Sequence, residues 1–157
     1  MINFLNISST YVLKYINISL GGVNMPKVKH GRGYVYSIQY HVVWCVKYRK
    51  QILFGELEQT LKDSILKIAM DNGFEIGEME TDKDHVHLLI DCSPQHSIPN
   101  IIKALKGVSA RIVFQKHPEL KKQLWGGNLW NPSYFVATVS ENTEEQIRQY
   151  IQNQKMK

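Results

Sequence analysis

The run Asp84-His85-Val86-His87-Leu88-Leu89-Ile90 places two imidazoles at i and i+2. On an extended chain those positions point to one face. His85 and His87 therefore project side by side while Val86, Leu88 and Ile90 face a core. Two adjacent imidazoles can hold one divalent ion and leave coordination positions open, as Lewis-acid chemistry on a phosphodiester requires. The plain alternative is a strand with two polar residues in solvent, because a lone His-x-His is a weak signal. A second candidate is Tyr150-Ile151-Gln152-Asn153-Gln154. On a helix Tyr150 and Gln154, four apart, share a face beside Ile147 and Ile151; by spacing alone Tyr150 is an amphipathic anchor for that stripe. A third is Lys47, Arg49 and Lys50 with Trp44 and Tyr48, cations interleaved with stacking surfaces, a combination that suits single-stranded nucleic acid. The alternative there is a solvated charged face. Lys103, Lys106 and Arg111 are a less sharply marked basic set, and Trp125 and Trp130 read as packing residues.

These residues need elements to position them. Tyr34 to Val46 alternates, with Tyr36, Ile38, Tyr40, Val42 and Trp44 on one face and Ser37, Gln39 and His41 on the other. That period of two predicts one long strand. Residues 51–72 switch to helical spacing through Leu53, Leu57, Leu61, Ile65 and Ile68, stopped by Asn72-Gly73. Phe74 to Thr81 and His85 to Asp91 read as a hairpin about a turn at 81–84. Ser97 can cap a second helix with Pro99 in its first turn and a stripe of Ile98, Ile101, Ile102, Leu105, Val108 and Ile112. Residues 133–139 make a fourth strand. Thr143-x-x-Gln146, with Glu144 and Glu145 in the first turn, opens a last helix. The order β-α-β-β-α-β-α predicts an α+β, ferredoxin-like (RRM-like) sandwich with an added C-terminal helix carrying Tyr150.

Taken together, His85-Val86-His87, Tyr40-His41-Val42-Val43-Trp44 with Lys47-Tyr48-Arg49-Lys50, Trp130 with Tyr134 to Val139, and Tyr150 to Gln154 closely resemble one family. It is the small single-tyrosine HUH transposases of bacterial insertion sequences, the TnpA type, with their REP-associated tyrosine transposase relatives. The resemblance spans about residues 30–154, in several blocks in the right order. It implies a homodimer that cuts and rejoins single-stranded DNA with hairpin ends through a 5′-phosphotyrosine. Tyr150 would be the nucleophile, His85 and His87 metal ligands and Gln154 the third ligand, with Mg2+ or Mn2+ as cofactor. Two imidazoles alone would favour a softer ion such as zinc; a neutral Gln and phosphate oxygens suit a harder one.

Composition agrees and narrows the class. The chain has 157 residues, 43% hydrophobic and 21% charged, in keeping with one globular domain. A formal charge of +5 and a pI near 9.1 favour a polyanionic partner. Cys45 and Cys92, the only cysteines, are too few for a secreted disulfide scaffold, which points to a cytoplasmic protein. No stretch reaches the apolar length of a membrane span, and no G-x-x-x-x-G-K-[ST] motif marks a nucleotide cofactor. Residues 1–24, with Lys14 as their only charge, read as an N-terminal extension without a part in the chemistry, and 25–157 as the catalytic domain. Three other functions remain open at this point. They are a domesticated nuclease of repeat hairpins, a non-catalytic RRM-like nucleic-acid-binding module, and a phosphodiesterase that activates water and would keep its activity in Tyr150→Phe.

Overall fold

Alternation in two strands builds the centre of the fold. Val42 and Trp44 on one strand and Val86, Leu88 and Ile90 on its neighbour are all within 1% of complete burial, in a single core cluster with Leu61, Ile65 and Leu105. Each fully buried aliphatic side chain there contributes about 1.5–3 kcal/mol relative to an exposed one. The structure is a computed structural model that describes residues 28–140, 148–149 and 151–152. Its elements are β1 (Lys29–Gly31), β2 (Tyr34–Tyr36), β3 (Gln39–Cys45), a 3-10 turn at Lys47–Arg49, α1 (Gly55–Asn72), β4 (Glu75–Asp82), β5 (His85–Asp91), α2 (Ile98–Lys116), a short α3 (Leu120–Gln123) and β6 (Phe135–Val139).

The main sheet has four antiparallel strands in the order β4-β5-β3-β6, and β1 and β2 form a separate hairpin. With α1 and α2 packed on one face, this is the expected ferredoxin-like sandwich. Gly73 closes α1 in the left-handed region, φ 74°, where its N–H bonds the carbonyls of Ala69 and Met70. Register pairs Val43 with His87 and Cys45 with His85, so the face away from the helices carries His41, Val43, Cys45, His85, His87 and Leu89.

Several elements differ from their sequence-based form. The strand expected over 34–46 breaks at Ser37-Ile38: its first part turns back onto β1, and only Gln39–Cys45 joins the main sheet. α1 starts at Gly55. Leu53 is buried but lies on an extended segment whose N–H bonds the Lys83 carbonyl at 2.9 Å. Ser97 does occupy the N-cap of α2, yet its side chain makes no capping bond. Farther along α2, Val113 takes the deeply buried place that the spacing gave to Ile112. Residues 148–149 and 151–152 are helical; the expected helix start at Thr143, and the extension 1–24, lie outside the described residues. Among the described residues no helix is long and apolar enough to cross a membrane.

Candidate functional site

β5 presents His85 and His87 on the sheet face away from α1 and α2, their ring centroids 4.9 Å apart and their planes at 70°. Both rings are held at Nδ1, by different partners. His85 Nδ1 lies 2.6 Å from Asp84 Oδ1, and a carboxylate can only accept there, so Nδ1 carries a proton. His87 Nδ1 lies 3.1 Å from Nε2 of His41, whose ring stacks on it at 5.4 Å and 15°. If His87 ligates through Nε2, its Nδ1–H donates to His41, and His41 then carries its own proton on Nδ1.

The electrostatics favour neutral imidazole at His87. Burial pushes its pKa down to about 4, and the neighbouring His85 and His41 add to the shift. Burial lowers His41 as well. At Asp84 the charged form is favoured instead: burial alone would raise its carboxyl, but hydrogen bonds from His85 and Arg49 and the Arg49 charge outweigh that and hold it below the usual range.

This donor set fits a divalent ion at an open site. A pair of imidazoles, each anchored at Nδ1, is how metal-ligating histidines are oriented. Among the described residues no group of three His, Cys, Asp or Glu side chains is arranged around one ion. Tyr150 and Gln154 lie outside the described residues.

The basic cluster after β3 is split in its roles. Lys47 lies over the ring of Tyr48 at 5.3 Å, Tyr48 is 57% exposed, and Lys50 is exposed. Arg49 is exposed but its guanidinium is engaged, Nε donating to Asp84 Oδ2 at 2.7 Å and Nη1 to Cys45 Sγ at 3.4 Å. Trp44, offered by the sequence as a stacking surface, is 1% exposed and packs edge-on against Trp130, so it cannot meet a base. Trp130 is the packing residue expected, with its indole N–H donating to Ser109 Oγ at 3.0 Å. Trp125 is not: it stands 84% exposed on a turn whose Gly126 and Gly127 both have positive φ. Lys106 donates to the carbonyls of Asn131, Pro132 and Ser133 and ties α2 to the segment before β6. Sequence reasoning placed His41 on the polar face but gave it no role. The signal was the alternation itself, once β3 is known to lie beside β5.

The fold is that of a transposase family: residues 34–154 match the family described as "Transposase IS200 like", and the chain belongs to it. Its relatives are particular insertion-sequence proteins. The ISDra2 transposase TnpA of Deinococcus radiodurans is 57% identical over 128 residues, 82% of this chain and 91% of that protein. The transposase of the element IS200 of Salmonella typhimurium is 30% identical over 119 residues, 76% and 78% of the two chains. A crystal structure of a Deinococcus radiodurans transposase superposes with TM-score 0.68 at 56% identity, covering 80% of this chain and 97% of that one. A REP-associated tyrosine transposase bound to a REP hairpin shares the fold, with TM-score 0.50, 18% identity, and 78% and 67% of the chains covered.

Proposed function

We propose that this chain transposes an insertion sequence by cutting and rejoining single-stranded DNA through Tyr150. The observation that carries the reading is the His85–His87 pair, anchored at both Nδ1 atoms on the sheet face away from the helices, in a chain of transposase family. The Tyr150 phenolate attacks a backbone phosphorus, the bond from phosphorus to the 3′ oxygen breaks, and a 5′-phosphotyrosine and a free 3′-hydroxyl result. A 3′-hydroxyl then attacks that phosphorus, and Tyr150 leaves with its oxygen. The phosphodiester count is conserved, so no nucleotide cofactor is consumed.

With a phenol pKa near 10, about one tyrosine in a thousand is ionised at neutral pH, a cost of about 4 kcal/mol. His85, His87 and Gln154 would hold a divalent ion, Mg2+ or Mn2+, which would supply Lewis-acid stabilisation of the attacked phosphate. Lys47 and Lys50 neutralise backbone phosphates, and Tyr48 offers a ring for base stacking. The chain works as a homodimer on DNA with hairpin ends, in line with the REP hairpin bound by its structural neighbour. Residues 1–24 take no part in the chemistry. Identity of 57% to an insertion-sequence transposase favours the mobile element over a domesticated hairpin nuclease. Against a non-catalytic RRM-like module, the faces of β3 and β5 away from the helices carry histidines where base-stacking rings would be needed.

The test is covalent capture. Purified protein with Mg2+ or Mn2+ and single-stranded DNA from the flanks of its gene is run on a denaturing gel beside Tyr150→Phe and His87→Ala. A denaturant-resistant shifted band in the wild type alone is expected. Cutting that persists in Tyr150→Phe would replace the tyrosine with activated water as nucleophile.

A further inference from the structure

Asp84 spends both carboxylate oxygens on the site: Oδ1 meets His85 Nδ1 at 2.6 Å and Oδ2 takes the Arg49 Nε–H at 2.7 Å. Arg49 reaches it from another part of the chain, 35 residues away in sequence. Its guanidinium also donates to Cys45 Sγ, directly across the ladder from His85. A fork with donors on two separate acceptors fixes the orientation of the whole group, which an ammonium could not do. The backbone that delivers it is strained: Tyr48 and Arg49 have φ of 60° and 54°, rare for residues with a Cβ. Flanking hydrogen bonds hold that turn in place, Val46 N–H to the Asp84 carbonyl at 2.8 Å and Lys47 N–H to the Leu129 carbonyl at 2.8 Å. An ordinary surface ion pair between flexible side chains needs no such backbone.

We infer that Arg49 and Asp84 are positioning residues, a clamp that fixes the His85 ring in its Nδ1–H form with Nε2 presented to a divalent ion. The clamp rests on the reading of His85 and His87 as metal ligands. Arg49 acts through Asp84, and Asp84 through the ring; neither touches the ion. A bare imidazole favours its proton on Nε2, the nitrogen needed for ligation, so the carboxylate has a definite task.

Two readouts test this. Long-range 15N–1H correlation spectra of the metal-free protein report which nitrogen of His85 carries the proton. The wild type should show Nδ1–H, with a shift toward Nε2–H in Asp84→Ala. Mn2+ affinity, followed by electron paramagnetic resonance, should weaken about 10–100-fold in Asp84→Ala, the range usual for lost partners of metal-ligating histidines. Asp84→Asn, nearly isosteric and the safer variant for folding, should fall between Asp84→Ala and the wild type in affinity, and Arg49→Gln should weaken binding less than Asp84→Ala. An unchanged His85 tautomer in Asp84→Ala, or wild-type Mn2+ affinity in both Asp84 variants, overturns the clamp. If the wild type binds Mn2+ no better than His87→Ala, the metal reading itself fails, and the tautomer alone then decides whether the clamp exists.

Discussion

The surroundings of His87 strongly alter its chemistry. The residue is 7% exposed, and its pKa of about 4 lies well below the 6.5 of an unburied histidine. Between those two values the unfolded chain takes up a proton that the folded chain refuses. Stability of the metal-free protein therefore falls as pH drops from about 6.5 toward 4 and is unaffected by this group above that window. Between pH 7 and pH 5 the loss from His87 is about 2 kcal/mol. Urea unfolding at the two pH values should show it, with a shallower dependence in His87→Gln. His41, lowered in the same direction by burial, leaves a residual slope in that variant. The pairing of the two rings was beyond the sequence. His41 and His87 are 46 residues apart, and only the strand register makes them neighbours.

At the scale of elements, what was legible followed from periodicity. Period two in β3 and β5 and period 3.6 in α1 and α2 report which face is buried, and burial dominates the energetics. The ends and partners of elements depend on contacts distant in the chain. Ser37-Ile38 looks no different from the rest of its alternating run, yet β1 draws the preceding segment away. Leu53 keeps the helical stripe but is held straight by the Lys83 carbonyl. Trp125 and Trp130 are five residues apart and alike in type, and contacts distant in the chain, to Val46, Trp44 and Ser109, bury the second. The turn after β3 shows a cost that no pattern reveals. Tyr48, at φ 60° and ψ 18°, occupies a left-handed conformation that glycine adopts freely. Tyr48→Gly should raise stability by about 1 kcal/mol in urea unfolding. The same change should weaken binding of a single-stranded oligonucleotide in fluorescence anisotropy, because the exposed ring is lost. Unchanged binding would remove Tyr48 from the DNA surface.

For the whole molecule, the excess of positive charge is useful only where it is not already engaged. Arg49 and Lys106 are bound to groups within the fold, to Asp84 and to three carbonyls of the 131–133 segment. In the candidate DNA cluster Lys50 is exposed, and Lys47 is half-buried over the Tyr48 ring. Each phosphate contact on a single strand contributes about 0.7 to the slope of log affinity against log salt. Changing both lysines to alanine should therefore flatten that slope by about 1.4, measured by anisotropy across a salt series. No change would move the strand path elsewhere on the surface. Charge composition pointed to a polyanion, but internal pairing, invisible in a count, decides which cations can meet one.

The bond from Arg49 to Cys45 has a kinetic consequence. The Cys45 thiol is 9% exposed, its ionisation is resisted by burial, and a guanidinium lies over its sulfur. A thiol reagent can reach it only while that guanidinium has swung aside, so its labelling rate is a clock for how often the turn after β3 lets go of the strand beneath it.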